Sequence, residues 1–408
     1  MILLVAIVLL FVVGAMAVLA IDVVTFYTAR SEAQLAADSA ALAGARLLAN
    51  SGATSDPSID PFAQPLAATM ALQVAGQNHV GGRLLDTSAN CGSEVCVTFP
   101  PTIGFTYNPR VQVKVTRTDL PTFFARIWGR TQVAVSATAT AEAYNPSGSN
   151  MAIGAGGRIA PACVKPWLLP NMNPTGSGGA FFTGAGAIVD NTLVGKPWDM
   201  QTVCSDCSVA LPAAQAGKYY PGAIDALDFP VPTQSIPTGA AGFNDYQLAV
   251  AACVPKPIQC GLNETINIDT TAYGPTRDAD TVAAVKVLIH DNGTPGDSDS
   301  IDVTSPPSPP FRYVAGNANP ITLARTQDVL VSDSLVTVPV FDNTVVANPV
   351  NVIGFVQLFL NKDGTPVAGP TINATIVNMA GCGTLATGQP VLGTGTSAIP
   401  VRLVASTP

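Results

Sequence analysis

The chain has 408 residues, which is too many for one small domain, so we expect two or three folding units. Charged residues make up only 11% of the chain, the net charge is −8, and lysine and arginine form no cluster. Nucleic acid is therefore not an expected partner, because its binding needs a basic surface. A surface with so few charges is typical of exported β-rich proteins.

The first 21 residues contain no charged or strongly polar side chain. A helix of this length, at about 1.5 Å per residue, spans a hydrocarbon core of about 30 Å. A cleaved signal peptide is the alternative, because Ala15-Met16-Ala17 has the spacing of a cleavage site. The apolar run continues past that site into a helical sequence, which favours an uncleaved transmembrane anchor.

Residues 22–49 contain no proline and are rich in alanine and leucine, so one helix is predicted to run from the membrane to about residue 49. One face of this helix carries small residues that allow another backbone to approach closely. They are Ala29, Ala33, Ala36, Ala37, Ala40 and Gly44. Two partners for this face are open: the protein's own sheet and another protein molecule.

The orientation of the anchor conflicts with the positive-inside rule, because Arg30 and Arg46 follow the span and no basic residue precedes it. We therefore expect a short basic leader upstream of Met1. The predicted location is the bacterial inner membrane, crossed once, with the C-terminal domains in the periplasm or outside the cell.

The cysteines are even in number, and local pairing is predicted from their spacing. The predicted pairs are Cys91 with Cys96, Cys204 with Cys207, and Cys253 with Cys260, which leaves Cys163 and Cys382. Disulfides require an oxidising compartment outside the cytoplasm. Free structural thiols are one alternative, and a metal or redox site at the C-x-x-C of Cys204 is another. A second C-x-x-C is missing from the sequence, which counts against metal.

The long helix and the segments that follow a polar linker at residues 51–58 are predicted to form one compact α+β unit. Its second helix covers residues 63–78 and begins near Pro65. Period-two patterning predicts strands at 95–99, 111–118 and 132–143, with a short amphipathic helix at 121–129. The expected arrangement is a long helix packed on a small sheet.

Turn-forming residues at 144–150 mark the predicted boundary to a loop-rich, mainly β domain. Strands are predicted there at 282–290, 335–341, 352–360 and 371–378. The stretch 352–360 is almost continuously apolar and should form a buried central strand. The predicted domains are thus an anchor at 1–21, a helix-on-sheet domain at 22–145 and an exported β domain at 151–408.

Motifs for catalysis or metal binding are weak in this sequence. Residues 291–302 match a calcium loop at positions 6 and 12, but positions 3 and 5 do not fit, so a solvated acidic turn is favoured. His79 and His290 are expected at the ends of secondary-structure elements. Nucleophile-elbow, phosphate-loop and zinc-protease motifs are absent from the sequence. We expect a non-enzymatic protein without a cofactor, a metal or a small-molecule substrate.

Residues 20–46 combine Asp22, an aromatic segment ending in Arg30, and the run AADSAALAGA at 36–45. This pattern resembles the amino-terminal segment of TadE/TadG-like Flp (Tad) pilus-assembly proteins. Residues 111–143 are similar to a second pattern of that family, in which a strand is followed by a turn of helix with the sequence P-T-F-F-A and then by an Ala/Thr-rich strand. The family's usual basic start before the span is missing from this sequence.

The resemblance implies a membrane-anchored structural or assembly component of a Flp/Tad-type pilus, with the lipid bilayer and pilus or assembly proteins as partners. Some larger relatives carry a von Willebrand-type insert with an Asp-x-Ser-x-Ser metal site. Residues 297–300 lack that spacing, so metal-dependent adhesion is not implied. The alternative function is a surface-displayed binding or adhesion protein whose β domain recognises a ligand.

Overall fold

The computed structural model describes residues 2–101, 108–123, 125–145, 159–183, 188–203, 213–224, 231, 235–258, 265–270, 274–301, 311–344, 348–382, 391–392 and 397–404. Its α-helices are α1 (Ile2–Asn50), α2 (Asp60–Gly76), α3 (Asp245–Ala251) and α4 (Gly274–Leu288). Short 3-10 helices lie at Pro57–Ile59, Ala125–Trp128, Asn191–Leu193 and Thr322–Ala324.

Most of the described strands are short, and a few long ones form the centres of the sheets. In chain order they are β1 (His79–Val80), β2 (Arg83–Leu84), β3 (Val95–Thr98), β4 (Arg110–Pro121), β5 (Gln132–Ala143), β6 (Ile159–Ala160), β7 (Trp167–Pro170), β8 (Phe182–Thr183), β9 (Ile188–Val189), β10 (Pro197–Thr202), β11 (Lys218–Pro221), β12 (Thr265–Ile266), β13 (Ser300–Ile301), β14 (Tyr313–Val314), β15 (Asp328–Val329), β16 (Leu335–Phe341), β17 (Val350–Leu360), β18 (Ile372–Gly381), β19 (Val391–Leu392) and β20 (Val401–Val404). The mixture of helices and sheets confirms the predicted α+β class.

The first sheet is antiparallel and has the strand order β20-β5-β4-β3. Alternate residues of β4 point into the core, where Val111, Val113 and Val115 are fully buried. The helices α1 and α2 cover this face and contact each other. The predicted arrangement of a long helix on a small sheet is therefore confirmed.

The last strand, β20, pairs with β5 in the register Val401 with Ala143 and Val404 with Thr140. The residues after 150 thus return to complete the sheet of the preceding segment. Close packing continues across the two segments, since Phe341 and Phe355 belong to the same buried cluster as the alanines of α1.

The second sheet closes into a six-stranded barrel in the order β17-β16-β7-β11-β10-β18, with β18 pairing back onto β17 and β12 added at the edge of β17. The strand β17 pairs along its length with β16 and β18, and its residues from Gly354 to Leu360 are buried. The prediction of a buried central strand at 352–360 is confirmed. The interior is filled by large side chains such as Trp167, Leu169, Met200 and Leu358.

The predicted strand at 282–290 is wrong, because α4 covers residues up to Leu288. Thr281, Ala284, Val285 and Leu288 are buried at steps of three, one and three residues, as expected for one face of a helix. An apolar stretch this short does not separate helix from strand by its pattern. The packing of α4 on α3 selects the helix over the strand, and Tyr246 Oη on α3 lies 2.8 Å from Thr281 Oγ1 on α4.

Several other predicted boundaries differ from the structure. The helix α2 starts at Asp60, with Pro61 in its first turn, where proline is tolerated, and Pro65 lies inside the helix, so the predicted start near Pro65 is too late. The strand β4 extends to Pro121, so the predicted helix at 121–129 shortens to a 3-10 turn at Ala125–Trp128. The strand at 371–378 is observed as Ile372–Gly381.

The predicted polar linker at 51–58 is largely buried, and its polar groups are hydrogen-bonded in the interior. Asn378, which is fully buried on β18, donates to the carbonyl of Ala49 and accepts from Thr54 Oγ1 at 2.9 Å. Asn145 Nδ2 donates to the carbonyl of Thr54 at 2.7 Å. The bond from Asn378 joins the end of α1 to the barrel, and the bond from Asn145 joins the predicted linker to the residues after β5.

Candidate functional site: the membrane-proximal end of the long helix

The first part of α1 presents apolar side chains that the described protein leaves uncovered. Leu9 is 65% exposed, Leu10 is 78% exposed and Phe11 is 77% exposed. Within the described residues, α1 is the one helix that is long and apolar enough to cross a membrane by length and composition. Apolar surface of this extent is unfavourable in water and is stable in a lipid environment.

The small-residue face of α1 packs on the chain's own sheet and on α2. Ala29 is 1% exposed and the other four predicted alanines are 0% exposed. A Cβ atom on Gly44 would lie 3.0 Å from Cγ1 of Val111 and 3.3 Å from the carbonyl oxygen of Ala67. Of the two partners left open by the sequence, the protein's own sheet is the one that covers this face.

Asp22 is the first charged residue of the chain and is only 1% exposed. Its Oδ1 accepts a hydrogen bond from the backbone N–H of Phe123 at 3.0 Å, and its Oδ2 accepts one from the backbone N–H of Ala125 at 2.8 Å. The carboxylate therefore caps the start of the 3-10 turn at Ala125–Trp128, where backbone N–H groups have no partner within the turn.

The segment capped by Asp22 connects β4 and β5, and we call it the hairpin tip (residues 122–131, of which residue 124 lies outside the described residues). Thr122 Oγ1 donates to the carbonyl of Arg130, and the backbone N–H of Arg130 donates to the carbonyl of Ala125 at 3.1 Å. Phe123 is 61% exposed, and Arg126 and Arg130 are exposed too. The tip is thus a closed, hydrogen-bonded loop with an aromatic side chain and two cations on its surface.

The other polar residues of the family-like motif lie farther along α1. Arg30 is exposed, and Gln34 Nε2 donates to Asp38 Oδ1 at 2.7 Å across one helical turn. Glu32 accepts from the backbone N–H of Gly81 at 2.6 Å, which fixes the turn between β1 and β2 against the helix. Asp22 and Glu32 therefore attach loops to α1.

The cysteine pairing is partly as predicted. Cys91 bonds to Cys96, but Cys253 bonds to Cys163 and not to Cys260, so that predicted pair is wrong. The long-range bond forms because the chain brings residue 163 beside residue 253, where the N–H of Cys163 donates to the carbonyl of Val254 at 3.2 Å. Cys382 is also disulfide-bonded, whereas Cys204, Cys207 and Cys260 lie outside the described residues.

The acidic stretch that partly matches a calcium loop uses its carboxylates inside the fold. Asp299 accepts from the N–H of Gly316 at 2.8 Å and from Ser332 Oγ at 2.7 Å. Asp291 accepts from the N–H groups of Gly293 and Val367. Asp302 lies outside the described residues. These carboxylates anchor neighbouring loops of the barrel.

A cavity of about 390 Å³ lies beside the Cys163–Cys253 disulfide and is lined in part by Lys165 and His290. Lys165 is 4% exposed, and its Nζ donates to the carbonyls of Val250 at 2.6 Å and Ala252 at 2.8 Å. Burial lowers the pKa of Lys165 to about 8, against the opposing effect of Asp333.

The two histidines lie apart from each other. His79 starts β1, just beyond α2, while His290 follows α4 and places Nε2 3.0 Å from Asp333 Oδ2. Across the described part of the chain, no group of three or more His, Cys, Asp or Glu side chains is placed to hold a metal ion.

The sequence did not predict the capping role of Asp22. A single carboxylate at the end of a charge-free run is the signal that could have shown it, because a buried charge needs nearby donors. The donors come from residues about a hundred positions away, so the sequence alone does not identify them.

No curated protein and no solved structure gives a significant match to this chain. The similarity predicted for residues 111–143 lies outside the segment that a family model matches. That segment is residues 1–47, which match the family model described as "Putative Flp pilus-assembly TadE/G-like", and the predicted resemblance is confirmed there.

Proposed function

We propose that this protein is a membrane-anchored, non-enzymatic structural or assembly component of a bacterial Flp/Tad-type pilus. The observation that carries the proposal is the agreement between the matched segment and the architecture of α1. Residues 1–47 match the TadE/G-like family, and α1 joins an uncovered apolar half to a half that is buried in a folded domain. One continuous helix thus connects the anchor to the sheet without a flexible linker.

In this proposal the protein crosses the inner membrane once, and the sheet and barrel lie in the periplasm or outside the cell. The disulfides Cys91–Cys96 and Cys163–Cys253 support an oxidising compartment. Buried hydrogen bonds of Asn378 attach the barrel to the end of α1 and to the segment after it, and the proposed partners of the barrel are pilus subunits or assembly proteins.

Deletion of the gene in its native host, with complementation by the full chain, tests the proposed role. We expect loss or shortening of pili by electron microscopy, and recovery on complementation. Photo-crosslinking in cells should capture pilus subunits or assembly proteins on the barrel. Normal piliation after deletion would contradict the assembly role and favour the display of a binding domain.

The anchor and the export are tested separately. Alkaline carbonate should leave the full chain in the membrane fraction, and a mass map under non-reducing conditions should recover the Cys163–Cys253 peptide pair. Release by carbonate contradicts the anchor, and free thiols at both positions contradict export.

A further inference from the structure

We propose that the hairpin tip is a second membrane contact, which lies in the headgroup region of the bilayer and orients the domain on it. The inference rests on the proposed anchoring by α1. It assigns the tip a partner, the lipid surface.

The position of the tip along α1 is the first argument. Asp22 is the charged residue that follows the apolar run, and a charged side chain is costly within the hydrocarbon core. Asp22 therefore lies where the span ends. The N–H groups of Phe123 and Ala125 are 3.0 Å and 2.8 Å from its carboxylate oxygens, so the tip lies at the same depth.

The chemistry of the tip is the second argument. Phe123 is 61% exposed although it is a large apolar side chain, and phenylalanine is one of the residues that interfacial segments bury at the boundary between headgroups and acyl chains. Arg126 and Arg130 are exposed beside it, and no ion pair is found for either within the described ranges. In a chain with a net charge of −8, two cations next to an exposed ring suit anionic lipid headgroups.

The rigidity of the tip is the third argument. Its hydrogen bonds within the loop and to Asp22 hold Phe123 outward before any contact is made. Such a loop loses little conformational entropy when it meets a surface. A single helix leaves rotation and tilt of the domain free, and a second contact at the same depth restricts both.

The test places a photo-crosslinking amino acid, p-benzoylphenylalanine, at Phe123 in the full chain, reconstituted in vesicles that contain phosphatidylglycerol. The matched control has the same group at Phe62, which is 68% exposed. Phe62 lies at the start of α2, beside the far end of α1 and about 40 Å from Asp22 along the helix. Both positions are exposed, so neither variant disturbs the core.

We expect mass spectrometry to show lipid adducts at position 123 at several-fold higher yield than at position 62. The double change Arg126→Glu and Arg130→Glu should lower the yield at 123. Equal yields at the two positions, or adducts with protein in place of lipid at 123, would overturn the proposal. Carbonate extraction of the same samples shows whether the chain is still anchored by α1. A chain that resists extraction but gives no lipid adducts at position 123 contradicts the tip contact and leaves the anchor intact.

Discussion

Glu142 and Arg402 join β20, the last described strand, to the middle of the first sheet. Glu142 Oε1 lies 2.6 Å from Arg402 Nη2, and Glu142 Oε2 lies 3.1 Å from Arg110 Nη2. The carboxylate is 2% exposed and pairs with cations from both neighbouring strands, β20 and β4. The Arg402 guanidinium also lies 4.4 Å from the centre of the Tyr144 ring.

Glu142→Gln should destabilise the protein by about 1–3 kcal/mol, because it leaves two arginines without their shared anion. Arg402 is 49% exposed, so solvent screening reduces the effect relative to a fully buried pair. Chemical unfolding measures the loss, and faster proteolysis near residue 400 should accompany it. The control is Asp328→Asn, which breaks an exposed pair with Arg312. An effect of Glu142→Gln no larger than the control's would contradict the stabilising role of the Glu142 ion pairs.

Asp22→Ala should loosen the hairpin tip. Two backbone N–H groups lose a charged acceptor, and each such hydrogen bond contributes about 1.5–3 kcal/mol. Amide hydrogen exchange at residues 122–131 should accelerate by at least roughly tenfold while exchange in the barrel stays unchanged. Asp38→Asn, which affects only an exposed bond with Gln34, serves as the control. Unchanged exchange at the tip would show that Asp22 does not hold it.

Gly44→Leu should destabilise the helix–sheet packing by about 1–3 kcal/mol, because the side chain would collide with Val111 and the backbone at Ala67. The matched control is Gly14→Leu on the same helix, where nothing lies within 4 Å of an added Cβ. Urea unfolding in detergent micelles, followed by tryptophan fluorescence, compares the two. Equal stability of both variants would be incompatible with the tight contact at Gly44.

Stability should rise with pH between about 8 and 10 because of Lys165, at up to about 1.4 kcal/mol per pH unit. In this range the unfolded chain, with a lysine pKa of 10.5, still binds the proton, whereas the folded protein has released it. Above pH 10 the sign reverses, because burial raises the pKa of Tyr219, Tyr246 and Tyr313 and the unfolded tyrosines ionise first.

Unfolding free energies from pH 7.5 to 10 measure this slope, with Lys165→Met as the comparison. The variant should show a flatter profile over the same window. A slope that is the same in both proteins would mean that another group is responsible.

Removal of the Cys163–Cys253 disulfide should cost more than removal of Cys91–Cys96. The bonds close loops with sequence separations of 90 and 5 residues. The chain-entropy relation gives about 4.6 kcal/mol for the longer loop and about 2 kcal/mol for the shorter one. Double Cys→Ser variants compared by thermal unfolding provide the measurement. The opposite order would indicate that strain or residual structure outweighs loop entropy.

Local patterns in the sequence were enough to predict the features that depend on neighbouring residues. The charge-free run at 1–21 and the proline-free, alanine-rich stretch after it predicted one long helix, which is α1. Alternation of Val111, Val113 and Val115 predicted β4, and the apolar run at 352–360 predicted the buried strand β17. These signals are local, because helix and strand periods are set by the backbone geometry of a few residues.

The features that join distant parts of the chain depend on tertiary contacts. Residues far away in sequence supply the disulfide partner of Cys253, the strand that pairs with β20, the side chain that packs on Gly44 and the N–H donors to Asp22. The apolar residues at 282–290 fit both helix and strand, and packing on α3 selected the helix. Such contacts depend on which surfaces meet after folding, and a one-dimensional pattern does not specify that.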